Sequence, residues 1–121
     1  MENNLTFKEA LNLAKDRIYR MHKLEGRPWN AEGSFIELSK QVGDLAKVMM
    51  GYEKYYYQET VPDKKMLQED LSDELADLLY VIIRLADHYE IDLEEAHIKA
   101  REKEDIFLKS KLVEYSISKG S

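Results

Sequence analysis

The sequence predicts an all-α protein of four helices. Glycine and proline are scarce, at five and two in 121 residues, and both prolines fall in segments that are typical of connections. Apolar residues recur at steps of three and four, and no segment has the period of two that is typical of a strand. We expect one domain over residues 1–121, with a core at about 5–108 and a tail at about 109–121.

Each of the first two helices is predicted to begin with a capping box, in which Ser or Thr precedes Glu by three residues. Thr6 and Glu9 have this spacing at the start of the first helix. Ser34 and Glu37 have it after the loop 24–33, which contains glycine, proline and asparagine. We therefore expect the second helix to begin at Ser34, with the Glu37 carboxylate closing its cap.

The third and fourth helices follow a long connection, GYEKYYYQETVPDKK. The third is expected from about Leu67 to Tyr89, and Asp92 with Glu95 predicts the start of the fourth. The tyrosines of the connection favour either a contact with the core or another subunit, or stacking on a nucleobase. The final residues, SISKGS, are expected to fray.

Composition excludes several classes of function. The net charge of -6 disfavours a duplex nucleic acid as partner, because non-specific binding to a duplex needs a basic face. The absence of cysteine excludes thiol catalysis and zinc sites built on cysteine. The longest apolar run, LLYVII, is too short to span a membrane, and MENNLTFKEA lacks the pattern of a secretory signal. A soluble cytoplasmic protein is therefore expected.

Two carboxylates lie on the side of the third helix that the period predicts to be buried. Glu74 falls inside the apolar face and Asp77 lies on its border. The apolar residues of this face are Leu71, Leu75, Leu78, Val81, Ile82, Leu85 and Tyr89. Buried carboxylates cost several kcal/mol each unless they are paired or bind a cation. Helical spacing directs the nearest basic side chains, Lys40, Lys47 and Arg84, elsewhere.

The second helix repeats the pattern of the third. Residues 37–50 align without gaps on residues 70–83, so that Gln41 matches Glu74 and Asp44 matches Asp77. We expect the two helices to pack antiparallel about a local twofold axis, with their polar clusters facing each other. An oxygen-only cage of this kind suits Mg²⁺ or Mn²⁺. The alternative is that E-x-x-D is simply a common helical spacing without a metal.

These two segments resemble the acidic motifs of the all-α nucleoside triphosphate pyrophosphohydrolases, the MazG-like group related to dimeric dUTPase and dCTP pyrophosphatase. DELADLLYVIIRLADHYEIDLEEA resembles the second motif and LSKQVGDLAK the first, and the resemblance covers about Trp29 to Phe107. It implies a four-helix MazG-like bundle completed by dimerisation, as a homodimer or a dimer of dimers. It also implies Mg²⁺-dependent hydrolysis of a nucleoside triphosphate to the monophosphate and pyrophosphate, with Mn²⁺ as a possible substitute. The implied metal-binding and catalytic residues are Asp44, Glu74, Asp77 and Gln41.

The first motif departs from the family pattern in two places. Asp44 stands where the family has a glutamate, which keeps the charge but shortens the reach, and Gln41 replaces another glutamate without its charge. This departure favours an alternative function, that of a catalytically weakened homologue that binds nucleotide or acts as an oligomeric interaction protein. A helical interaction protein without any ligand is a third hypothesis, but it does not explain Glu74.

The last helix departs from the family as well. Ala100 and Glu104 stand where the family tends to have lysine and asparagine. Lys99 or Arg101 would then replace the lysine toward substrate phosphate, because a long side chain absorbs a small change of helical angle. Trp29 is the third candidate for substrate binding, through stacking on a nucleobase, and the alternative is that its ring contacts the core or another subunit.

Overall fold

The computed structural model describes residues 4–120, with side chains described to residue 113. This part of the chain contains four α-helices and no strand, so the all-α class is confirmed. None of the four helices, over the residues described, is long and apolar enough to cross a membrane. The helices are α1 (Phe7–Glu25), α2 (Ala31–Tyr52), α3 (Lys64–His88) and α4 (Leu93–Gly120).

The capping box predicted for α1 is confirmed. The Thr6 hydroxyl accepts a hydrogen bond from the Glu9 amide at 3.1 Å, and the Glu9 carboxylate accepts one from the Thr6 amide at 3.3 Å. The helix ends at Gly26, whose φ of 84° lies in the left-handed region that glycine adopts without strain. Its amide donates to the carbonyl of His22 at 3.0 Å, which closes the last turn.

The predicted start of α2 at Ser34 is wrong. Asn30 caps this helix instead, because its side-chain oxygen accepts a hydrogen bond from the Gly33 amide at 2.7 Å. Ser34 lies in the first turn, where its amide donates to the Asn30 carbonyl at 3.1 Å and its side chain is buried. The Glu37 carboxylate is consequently not part of the cap and is available for other contacts.

Aspartates cap the two later helices. Asp63 accepts from the Met66 amide at 2.9 Å, so α3 begins earlier than its apolar period predicted. Asp92 accepts from the Glu95 amide at 3.0 Å, which confirms the predicted start of α4. The backbone of α4 remains helical to Gly120, so the expectation of a frayed end is wrong for the described part of that segment.

The chain divides after Glu90 into two compact units. In the first unit, α3 packs against both α1 and α2. Ser34, near the start of α2, and Arg84, near the end of α3, line one cleft, as expected if these two helices run antiparallel. The apolar side chains buried in this unit include Leu11, Ile18, Val81 and Ile83. The second unit contains α4.

The apolar surface of α3 is wider than the surface that α2 covers. Val81 is buried as predicted, but Leu75 and Ile82 are exposed, so the prediction of one buried face is only partly right. Phe35, Val42 and Met49 of α2 are also exposed and recur every seventh residue. If α2 and α3 run antiparallel, the angular positions of these exposed apolar residues around each helix place both sets on the same side of the helix pair. This apolar face comprises Phe35, Val42, Met49, Leu75, Leu79 and Ile82.

Candidate functional site

Two carboxylates of α2 pair with one lysine, and a carboxylate of α3 acts on the same lysine through its charge. The ammonium nitrogen of Lys40 lies 3.3 Å from Asp44 Oδ2 and 3.9 Å from Glu37 Oε1. The hydrogen bond to Asp44 is the largest cause that raises the pKa of Lys40, followed by the charges of Asp44, Glu37 and, on α3, Glu74. We call Glu37, Asp44 and Glu74 the acidic cluster. Carboxylates from two helices therefore contribute to the electrostatic field at the Lys40 ammonium.

The expectation that Lys40 points away from the acids is wrong. Residues three and four apart are neighbours on a helix, and the long lysine stem reaches both Glu37 on the preceding turn and Asp44 on the following one. The spacing that produces this pairing was present in the sequence. Lys47 behaves as expected, since it forms no hydrogen bond or ion pair with any residue that the structure describes.

Gln41 lies beside the acidic cluster and is 9% exposed. Its Nε2 donates a hydrogen bond to Glu37 Oε1 at 3.0 Å. Its Oε1 is buried and has no hydrogen-bond partner within the described part of the chain. An amide can occupy this position because it donates to a carboxylate, whereas a glutamate here would place two negative charges together.

The two acids of the E-x-x-D motif differ in their surroundings. Glu74 is half-buried, and Asp77 is exposed. Neither carboxylate forms a hydrogen bond or salt bridge with another described residue. Within residues 4–113, no group of three Asp, Glu or His side chains lies close enough together to hold a metal ion. The set Gln41, Asp44, Glu74 and Asp77 therefore stays a prediction.

The donor chemistry of this region suits a hard divalent cation. Carboxylate and amide oxygens are the ligands that Mg²⁺ takes, with water and substrate oxygens completing its shell. The buried Oε1 of Gln41 is a neutral oxygen without a hydrogen-bond partner among the described residues, and the pairing of Lys40 with Glu37 and Asp44 shows that these carboxylates accept a positive charge between them. The residue types thus suit Mg²⁺, as do Glu74 and Asp77, which form no hydrogen bond or salt bridge within the described part of the chain.

Trp29 lies against a buried cation that the sequence did not predict. Arg84 is 6% exposed, and its guanidinium carbon lies 3.8 Å from the centre of the Trp29 ring. Its Nη2 donates to Glu25 Oε1 at 3.1 Å, while its Nε is buried without a hydrogen-bond partner among the described residues. Glu25 and Arg84 are 59 positions apart, so no local pattern could have paired them.

Trp29 lines two clefts, one of which reaches the acidic cluster. This cleft, of about 290 Å³, extends from Trp29 to Glu37, and Arg27 also lines it. The other, of about 300 Å³, extends toward Arg84 and Ser34. The first cleft therefore brings an aromatic ring, a basic side chain and a carboxylate of the acidic cluster to one surface. Its other lining residues are Pro28, Asn30, Gly33 and Ile36.

The two substrate candidates on α4 pair within their own helix. Lys99 contacts Glu95 at 2.6 Å, and Arg101 forms a salt bridge with Glu104. The hydrogen bond to Glu95 and its charge raise the pKa of Lys99. Glu104 is thus the partner of Arg101. A role of either cation toward substrate stays a prediction.

No protein-family model matches the chain, and no curated protein matches it.

Proposed function

We propose that this protein is a Mg²⁺-dependent nucleotide pyrophosphohydrolase of the MazG-like type, which converts a nucleoside triphosphate to the monophosphate and pyrophosphate. The observation that carries the proposal is the buried side-chain oxygen of Gln41, which has no hydrogen-bond partner among the described residues and belongs to an amide that donates to the Glu37 carboxylate. Glu74 adds to it, because it is half-buried, its charge acts on Lys40 of α2, and it forms no hydrogen bond or salt bridge with a described residue.

The proposed assignment of roles follows from charge and position. Glu74, Asp77 and Asp44 would hold Mg²⁺, with the Gln41 carbonyl oxygen as a neutral ligand or as the group that orients water. The bound ion would neutralise charge on the polyphosphate. Water adds across the bond between the α and β phosphates, and a carboxylate of the site takes the proton that the attacking water gives up. Trp29 would stack on the base from the adjoining cleft.

Substitution of Glu74 by glutamine tests this function. We expect the wild-type chain to release pyrophosphate from at least one common nucleoside triphosphate in the presence of Mg²⁺ or Mn²⁺. Glu74→Gln should lower the turnover by about 100-fold or more, because it removes charge at the reacting centre with little change in volume. The control is Glu69→Gln, an exposed position on the same helix. Equal turnover in both variants would contradict the assignment.

A second candidate is a weakened or inactive MazG-like homologue that binds nucleotide or acts as an oligomeric interaction protein. Three observations favour it. Gln41 replaces a charged ligand of the family, and Lys40 already neutralises part of the acidic cluster. The apolar face also remains exposed in a single chain, which is typical of surfaces that bind another protein. Binding of nucleotide without release of pyrophosphate would support this candidate over the first.

Both candidates include assembly through the apolar face. We expect a homodimer or dimer of dimers at micromolar concentration, because a second copy would cover the apolar face of α2 and α3. Light scattering should give at least twice the mass of 14.2 kDa for the wild type. Leu75→Glu should lower the measured mass to that of the monomer. Leu13→Glu alters an exposed leucine of α1 outside this face and should leave the mass unchanged. A monomeric wild type would refute the assembly.

A further inference from the structure

The indole ring of Trp29 lies against a buried cation. The guanidinium carbon of Arg84 is 3.8 Å from the centre of the ring, which is a close cation–π contact. Arg84 is 6% exposed, and its Nη2 donates a hydrogen bond to Glu25 Oε1 of α1 at 3.1 Å. A buried cation that a second helix holds has little freedom to move. The orientation of the Trp29 ring is therefore fixed before any ligand arrives.

The cleft of about 290 Å³ at Trp29 has a gap where most residues would place a side chain. Gly33 lines this cleft, whereas Arg84 lines the cleft of about 300 Å³. A Cβ at position 33 would lie 3.8 Å from Cβ and 4.0 Å from Cγ of Trp29, and 3.3 Å from Oδ1 of Asn30. The φ of Gly33 lies outside the left-handed region, so the backbone does not require glycine here. Its effect is to leave space beside the ring.

From these two observations we infer that Trp29 is a pre-arranged stacking surface for a planar heterocycle, which Arg84 holds in position and Gly33 leaves accessible. This role rests on the proposed function for the identity of the heterocycle, which would be the base of the nucleotide. Every base has a flat face that can stack on an aromatic side chain. A ring that is already fixed loses little conformational freedom when a base stacks on it. Arg84 is thus a positioning residue that acts through Trp29.

The size of the cleft limits what it can take. A volume of about 290 Å³ is at the lower end of small-molecule sites, which span roughly 300–1,000 Å³. It suits a base better than a whole nucleoside triphosphate. Arg27 also lines the cleft and forms no ion pair with a described residue, so its charge is available to an adjoining phosphate.

The test follows the fluorescence of Trp29, the single tryptophan, while nucleoside monophosphates are added to the full chain without metal. Each common monophosphate is titrated separately, and ribose 5-phosphate is the matched probe that lacks a base. At least one monophosphate should quench the fluorescence to saturation, and ribose 5-phosphate should leave it unchanged. This binding needs neither metal nor hydrolysis, so it is independent of the pyrophosphate assay.

Gly33→Ala should weaken the binding of that monophosphate by about tenfold, because the added methyl group takes up space beside the ring. The matched control is Gly43→Ala, which makes the same change in the same helix. An added Cβ at position 43 would meet nothing within 4 Å, so the affinity of this variant should equal that of the wild type.

Arg84→Lys keeps a positive charge beside Glu25 but removes the flat guanidinium that lies against the ring. We expect binding of the monophosphate to weaken by about fivefold, the size of one cation–π contact. Without ligand, acrylamide should quench Trp29 more readily in this variant, because the ring is less confined. Circular dichroism checks that the variant is folded during the titration. If it is unfolded, the two alanine variants decide the test.

Three results would overturn the inference: no quenching of the wild type, equal quenching by ribose 5-phosphate, or unchanged affinity in Gly33→Ala or in folded Arg84→Lys. Equal weakening in Gly33→Ala and Gly43→Ala would overturn it as well. In all these cases, release of pyrophosphate by the wild type would leave the proposed function intact. Base-dependent quenching that Gly33→Ala weakens, in a chain that releases no pyrophosphate, would support the inference and favour the homologue that only binds nucleotide.

Discussion

Replacement of Arg84 by methionine is expected to lower the free energy of unfolding by about 2–4 kcal/mol. Arg84 is 6% exposed and joins three parts of the first unit: its own helix α3, the end of α1 through Glu25, and the following loop through Trp29. Methionine fills a similar volume and leaves no large cavity. The lost free energy of unfolding therefore measures the charge, the hydrogen bond to Glu25 and the stacking on Trp29. Glu25 would be left beside the core without its cation.

The size of this effect depends on burial. The Glu25 side chain is 25% exposed and can recover part of its hydration, which keeps the expected loss below that of a fully buried pair. The double variant Arg84→Met with Glu25→Gln should therefore be more stable than Arg84→Met alone. As a control, Arg20→Met breaks an exposed pair with Asp16, and it should change the stability by less than about 1 kcal/mol.

Urea unfolding followed by circular dichroism measures these differences in the full chain. Trp29 is the single tryptophan, so its fluorescence reports separately whether the loop after α1 has lost its contact with the guanidinium. If Arg84→Met and Arg20→Met unfolded at the same urea concentration, Arg84 would not hold these elements together.

Substitution of Gln41 by glutamate is expected to have opposite effects without and with Mg²⁺. Without the ion, the variant should lose about 2–3 kcal/mol of stability, because a second carboxylate replaces the amide that donates to Glu37 and is only 9% exposed. With Mg²⁺ in millimolar excess, the loss should be offset and the affinity for the ion should exceed that of the wild type. The added charge lies among the proposed ligands, so turnover should rise as well.

Melting curves with and without Mg²⁺ separate the two effects. Gln68→Glu is the matched control, since it adds the same charge at an exposed position of α3, and its melting should respond to Mg²⁺ as the wild type does. The charge on the new glutamate is also the cause of the loss, so acidification that protonates it should restore stability in the metal-free protein. A variant that melts lower in both conditions, with no gain in turnover, would show that this is not a metal site.

Local chemistry allowed most of the fold to be predicted from the sequence. The scarcity of glycine and proline, the apolar period of three to four and the side chains of Thr6 and Asp92 predicted helices that the structure confirms. These signals work because capping and periodicity act within a few residues. The error at Ser34 has the same origin: Asn30 and Ser34 are both good caps, and the local sequence did not decide between them.

Tertiary packing decided which long-range contacts form and which apolar side chains are buried. The sequence by itself indicated which side chains could form a site, through the match of Gln41 and Asp44 to Glu74 and Asp77, and this assignment stays a prediction. Only the folded chain put Arg84 in the core against Trp29 and Glu25, and left half of the apolar surface of α3 uncovered. The physical reason is distance along the chain: burial and ion pairing across 59 residues depend on how helices pack, which no local period encodes.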